Sequence, residues 1–152
     1  MIPRYPEGLP CPLREGYEFT PVNNIVRTDM QSGRARQRVD FASTPDTISL
    51  RFLFDSPQAS LFQAWAEQVV GAGWFEIELL TPLGFEIEEV RFMETPVGGQ
   101  LMGKFSWMFR VNCERRDRKL LEPGWAEILP GYVLMADIFD YAMNREKPLY
   151  AE

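Results

Sequence analysis

The sequence contains no histidine and only two cysteines. Without imidazole there is no Ser-His-Asp triad, no Cys-His pair and no His-ligated metal. Cys11 and Cys113 fit no metal-binding spacing and make no disulfide framework, so both are expected as free thiols in a reducing cytoplasm. No run of about 18 apolar residues exists, so no membrane-spanning helix is expected. Met1 to Pro6 lacks the apolar stretch of a secretory leader, and none is expected. Also missing are the Gly-x-x-x-x-Gly-Lys-Ser/Thr loop, the Gly-x-Gly-x-x-Gly fingerprint and any Cys/His cluster. No cofactor, metal or catalytic residue is therefore expected, and the reading tilts toward binding or building.

What is present suits one folded domain. The chain has 152 residues, 45% hydrophobic and 25% charged, with 4 Trp, 5 Tyr and 11 Phe to fill a core. The net charge of −6 disfavours nucleic acid as a partner. The charges are sorted along the chain. Arg27, Arg34, Arg36 and Arg38 form one basic group, and Arg115, Arg116, Arg118 and Lys119 another. Glu76, Glu78, Glu86, Glu88 and Glu89 form an acidic group. Such sorting can attract another copy or another protein, or it can mark solvated strand faces.

Five prolines within residues 1–22 (Pro3, Pro6, Pro10, Pro12 and Pro21) disfavour helix and predict an extended arm. Tyr5, Leu9, Leu13, Tyr17 and Phe19 would dock that arm on its own domain or on a neighbour. Residues 24–30 and 34–43 read as two strands around Gln31-Ser32-Gly33, with Arg34, Arg36 and Arg38 on one face. Three arginines on one strand face must meet water, a carboxylate row or a partner.

Residues 47–54 alternate, with Ile48, Leu50, Phe52 and Phe54 inward. Pro57 then opens a helix over 57–70, capped by Asp55 or Ser56 and ended by Gly71 and Gly73. Leu61, Phe62, Trp65, Ala66 and Val69 make its apolar stripe. Trp74 to Thr81 is a strand, and Thr81-Pro82-Leu83-Gly84 a turn. In the returning strand, 85–94, the apolar parity changes between Phe85/Ile87 and Val90/Phe92, which predicts a β-bulge near Glu88-Glu89. Val97-Gly98-Gly99-Gln100 reads as a second tight turn. Lys104 to Arg115 reads as the clearest strand, with Phe105, Trp107, Phe109, Val111 and Cys113 on one face. After an irregular stretch over 120–130, residues 131–144 can form a helix.

The fold class expected is α+β: a mainly antiparallel, curved sheet or partial barrel with one packed helix (57–70), an extended N-terminal arm and a C-terminal helix. Its parts are an arm (1–22), a β-rich core (23–119) and an extension (120–152). Glu76/Glu78 and Glu86/Glu88 are the nearest approach to a catalytic carboxylate pair, and pairing with each other or with arginines is the simpler reading. Asp137 and Asp140 read as a solvated helix face rather than metal ligands. The Gly33–Arg38 stretch lacks the interleaved aromatics of a nucleic-acid patch.

Several spaced residues carry a resemblance. They are Tyr5-Pro6 with Leu9-Pro10, then Arg27-Thr28-x-Met30-x-x-Gly33-x-x-Arg36-Gln37-Arg38, and Phe41. Phe62-x-x-Trp65, Trp74-Phe75 and Arg91-Phe92 follow. Over roughly residues 5–115 the chain resembles a family of small tail-associated proteins of tailed bacteriophages and prophages. The stretch from Leu120 to Glu152 lies outside the resemblance. The resemblance implies a virion component without enzymatic activity. Such a protein bridges the tail tube or hub to sheath or baseplate wedge proteins in a homo-oligomeric or mixed ring of three- or six-fold symmetry. It would be made in the host bacterial cytoplasm, with no nucleic acid or membrane as partner. A head–tail connector and a tail-tip protein are the alternatives within that class. A small-molecule-binding β-domain, its pocket lined by Trp74, Trp107 and Phe109, is the alternative outside it. The residues expected at interfaces are Tyr5, Leu9, Leu13, Arg34, Arg36, Arg38, Arg115, Arg116, Trp125, Tyr132 and Phe139.

Overall fold

Period-two alternation places 43% of the residues in strands, as a computed structural model describing residues 1–41, 45–133 and 135 shows. Eight strands occur among the described residues: β1 (Glu18–Pro21), β2 (Ile25–Thr28), β3 (Arg36–Val39), β4 (Asp46–Asp55), β5 (Trp74–Thr81), β6 (Gly84–Phe92), β7 (Val97–Met102) and β8 (Ser106–Arg115). Between β4 and β5 runs the helix α1 (Ser56–Ala64), continued by a π-helical turn over Trp65–Val70. A second helix, α2, covers 125–133. The fold is α+β, as expected: a curved antiparallel sheet that does not close, with helices.

The main sheet has the order β1-β4-β8-β6-β5. Its backbone is the ten-residue ladder of β4 and β8, from Asp46↔Arg115 to Asp55↔Ser106. The other edge of β8 is shared. β6 holds it only from Val90↔Arg115 to Phe92↔Cys113, and β7 holds it from Val97↔Arg110 to Met102↔Ser106. So β6 pairs with β8 at one end only, and the helix packs on one face of the sheet. Ile48, Leu50, Phe52 and Phe54 of β4, Phe75, Ile77 and Leu79 of β5, and Phe109, Val111 and Cys113 of β8 are all buried there. Phe62 of α1 sits among Phe52, Phe54 and Phe109 with ring centroids 4.9 to 5.5 Å apart.

α1 begins at the expected place. The Asp55 N–H donates to Gln58 Oε1 at 3.1 Å, and Pro57 occupies the first turn, where no N–H is needed. Its buried row is not the expected one. Ala59, Phe62, Trp65, Ala66 and Val70 face the sheet, whereas Leu61 and Val69 are exposed. Leu61 lies on the outer side of the regular α-helical part, and at the end a π turn, in which the Gly71 N–H donates to Ala66 O at 2.9 Å, five residues back, widens the last turn and brings Val70 in place of Val69.

Two further expectations are corrected. β6 carries no bulge, since its register with β5 is unbroken from Trp74↔Arg91 to Thr81↔Gly84. Phe85 and Ile87 simply face outward, and Glu88 faces inward beside Val90. The acid is tolerated inside because an arginine meets it there. Likewise residues 97–100 are not a turn but the start of β7. Gly99, at φ +87°, sits where the register shifts between Gly98 and Gln100. The chain reverses over 103–105, with Gly103 at φ +73°, so Phe105 belongs to the turn and is exposed.

The arm and the core are not separate pieces, because Met1–Arg118 forms one compact unit. The arm crosses from one sheet edge to the other. Near its start, Tyr5 N–H donates to Glu76 O at 2.8 Å and Glu76 N–H to Pro3 O at 2.9 Å, which extends the free edge of β5. Further on, Leu13 N–H donates to Arg51 O at 2.7 Å, and β1 completes the opposite edge beside β4. Lys119–Glu152 forms a second unit. Within it α2 starts at residue 125, directly after a turn at Pro123-Gly124, rather than at 131 as expected. Residues 136–144 of the expected helix lie outside the described residues.

Candidate interaction surface

The most exposed element is the β2–β3 ribbon. Among the described residues its strands pair only with each other, from Ile25↔Val39 to Thr28↔Arg36, and every residue in both is exposed. One face carries Ile25, Val39, Arg27 and Gln37, and the other Val26, Arg38, Thr28 and Arg36. A two-stranded ribbon is marginal in water when neither face is covered. Here both faces are open, and Ile25, Val26, Met30, Val39 and Phe41 expose large apolar side chains. The expected row of three arginines resolves into Arg36 and Arg38 within β3 and Arg34 in the connection before it. All three are exposed. Arg38 pairs with Asp40 at 3.3 Å, and among the described residues Arg34 and Arg36 have no ion-pair partner.

The arm residues lie elsewhere. Leu9 is buried in this chain's own core. The Tyr5 ring stacks on Phe52 and meets Trp65 edge-on, with centroids 5.8 and 5.7 Å away. Its hydroxyl donates to Pro10 O at 2.8 Å, and burial pushes its ionisation well above the usual phenol range. Leu13 is half-buried. These side chains hold the arm on its own sheet, so Tyr5 and Leu9 are not free to grip a neighbour.

Arg115 also proves internal. With 6% of its side chain exposed, it pairs with Asp46 (3% exposed) and approaches Glu88 at 3.7 Å. Its guanidinium lies 5.0 Å from the Phe19 ring centroid, and Arg118 reaches Asp46 at 3.9 Å. The signal for this cluster in the sequence is parity: Asp46 alternates in step with Ile48 and Leu50, Glu88 with Val90 and Phe92, and Arg115 with Val111 and Cys113. Arg116 does reach the surface, pairing with Glu89 at 2.9 Å and lying 5.6 Å from the Trp74 ring centroid.

The outer face of the β5–β6 hairpin carries a strip missed in sequence. Leu80, Phe85 and Ile87 are exposed there, continuing to Leu83 at the turn, and Glu76 and Glu78 stand beside them on β5. A groove of about 570 Å³ separates this hairpin from the arm, lined by Cys11, Pro12, Tyr17, Leu80 and Phe85. Tyr17 bridges it by donating to Leu80 O at 2.9 Å. Contiguous exposed apolar surface of this kind marks contact sites.

On α2, Trp125, Ile128, Tyr132 and Val133 are exposed, and Phe139 lies outside the described residues. Glu76 stands opposite Glu89, Glu78 opposite Ile87, and Glu86 opposite Leu79. Trp107 and Phe109 share a groove of about 310 Å³ with Ser56 and Ser60, and Trp74 is not part of it. Trp74 instead lies under Arg91, 4.8 Å from the guanidinium carbon to the ring centroid. No group of three or more metal-ligating side chains occurs among the described residues, and no helix there is long and apolar enough to cross a membrane. No protein-family model matches the chain, and no curated protein matches it.

Proposed function

We propose that this chain is a non-enzymatic structural component of a tailed-phage virion. In this reading it sits in the tail or baseplate and bridges the tube or hub to surrounding sheath or wedge proteins. The observation that carries the reading is the β2–β3 ribbon, which exposes apolar side chains and arginines on two uncovered faces and has no core of its own. A free-standing protein gains little from such an element, whereas an assembly protein covers it on docking. The spaced residues that resemble tail proteins include this ribbon, from Arg27 to Arg38. The apolar residues of α2 add a second gripping element. The mechanism is mechanical: surfaces that stay open in the monomer are buried between neighbours, and arginine rows fix the register of each contact more than they add affinity.

The test is the composition of purified tailed particles from a lysogen that encodes the chain. Mass spectrometry and a density map are expected to find it in the tail at a copy number that is a multiple of three or six. Infectious particles that lack it overturn the reading. A map that shows it at the head–tail junction or the tail tip selects one of those positions instead.

A further inference from the structure

The ribbon and the β5–β6 hairpin offer complementary faces. On the ribbon, Arg36 and Arg38 lie two residues apart on one strand face, with Thr28 and Val26 across from them. On the hairpin, Glu76 and Glu78 lie two residues apart on one strand face, with Glu89 and Ile87 across from them and the Leu80–Phe85 pair next along. Side chains two apart on a strand are separated by roughly 6.6 Å in both rows, so the two rows match in pitch. Among the described residues Arg36, Glu76 and Glu78 have no ion-pair partner. Arg38 has one exposed partner, Asp40, and an exposed pair of that kind is worth little. Arg4 and Arg14 of the arm lie near the hairpin, and neither is within ion-pair distance of Glu76 or Glu78.

We propose that the β2–β3 ribbon of one copy docks on the outer face of the β5–β6 hairpin of a second copy. In that contact Arg36 and Arg38 face Glu76 and Glu78, and Val26 meets Ile87 and Phe85. Charge selects the occupant. The ribbon region 23–41 holds four arginines against two aspartates, in a chain whose net charge is −6. The ribbon is thus a basic projection on an acidic protein, and another copy supplies both the acids and the apolar strip. A second ribbon would bring like charges together and is disfavoured.

The donor and acceptor patches are different surfaces, so the contact is head-to-tail and propagates into a ring or a filament. Eight strand residues cover less than the roughly 800 Å² per partner of a standard interface. Each contact is therefore weak, and closure of the ring multiplies it. The inference deepens the reading of the ribbon as an assembly surface and rests on it.

The experiment is sedimentation velocity on the full chain over a range of concentrations, at low and at high salt. The wild-type protein is expected to form oligomers that salt weakens. Arg36→Glu with Arg38→Glu, and separately Glu76→Lys with Glu78→Lys, are each expected to weaken association roughly tenfold or more while leaving thermal unfolding unchanged. An equimolar mixture of the two variants is expected to reassemble, because each then presents the charge the other needs. A wild-type protein that stays monomeric overturns the inference, as does a mixture that fails to reassemble. Either failure leaves the virion assignment to its own test, the composition of the particle.

Discussion

Arg115 and Asp46 face each other across β8 and β4 as an ion pair, with only 6% and 3% of their side chains exposed. Val90 of β6 is also opposite Arg115, so the residue stands where three strands meet. Glu88 of β6 approaches the same guanidinium at 3.7 Å. One cation thus ties β4, β6 and β8 together in the interior, where each charge alone would be costly.

Replacing Arg115 by Met should therefore leave two carboxylates buried beside each other. The expected loss is about 3–5 kcal/mol in urea unfolding. A variant that also carries Asp46→Leu and Glu88→Met should recover most of it, since no buried charge then remains uncompensated. A loss under about 1 kcal/mol for Arg115→Met would show that water reaches the cluster.

The arm contributes to stability. Leu9 is buried and Tyr5 packs on Phe52 and Trp65, so Leu9→Ala should cost about 2–4 kcal/mol. Removing residues 1–10 should cost more still, because the β5 edge also loses its hydrogen bonds to Pro3 and Tyr5. Unfolding curves of the truncated chain that match the full chain would show that the arm is dispensable for folding.

Stability should be nearly flat from pH 6 to pH 8, because the chain has no histidine. It should fall above about pH 9. Burial raises the Cys113 thiol from 9.0 to about 12 and raises the Tyr5 and Tyr17 phenols above their usual value. For each, the folded state favours the neutral form. Its stabilising contribution is whole below the unfolded pKa and is lost as the pH climbs from there through the folded value. Thermal unfolding at pH 7 and at pH 10.5 measures the drop, and Cys113→Ala should reduce it. An unchanged midpoint at the higher pH would contradict the burial of these groups.

Strands with clean alternation were legible in the sequence. The β4 pattern from Ile48 to Phe54 and the β5 pattern from Phe75 to Leu79 named their buried faces correctly, because a hydrophobic face has few other places to go. Errors arose where a local rule met a tertiary partner. The change of apolar parity predicts a bulge near Glu88, yet the strand runs on unbroken and Glu88 faces inward, where Arg115, 27 positions away, meets its carboxylate. An unbroken α-helical period points Val69 inward, and the π turn over Trp65–Val70 breaks that period. Of the expected interface, Arg34, Arg36, Arg38, Trp125 and Tyr132 lie at the surface, whereas Tyr5, Leu9 and Arg115 serve the fold. Residue type alone does not separate these roles, because arginine and tyrosine suit both.

Gly98 illustrates a constraint that a turn reading missed. A Cβ at this position would lie 2.0 Å from Phe109 Cδ1, far inside contact distance. Phe109 is itself buried between Phe54 and Phe62, so it has no room to yield. Gly98→Ala should therefore pry β7 from β8 and cost about 1–3 kcal/mol as an overpacked site. Gly8→Ala, where nothing lies within 4 Å of the added carbon, is the control and should be close to neutral. Equal effects of the two on unfolding would mean that β7 moves freely over Phe109.

A chain ending at Arg118 should fold by itself. All the buried hydrophobic side chains among the described residues lie between Leu9 and Cys113, and Met1–Arg118 forms one compact unit. The cut also keeps Arg118 beside Asp46. Trp125, Ile128, Tyr132 and Val133 of the second unit are exposed. The unfolding free energy of the 1–118 chain should stay within about 1 kcal/mol of the full chain, by chemical denaturation. In complementation of a deletion phage, under the tail reading, the shortened protein should be made and folded yet poorly incorporated, since α2 is the gripping element it lacks. A shortened chain that unfolds would show that the second unit completes the core. One that enters tails at normal stoichiometry would show that α2 takes no part in holding the neighbours.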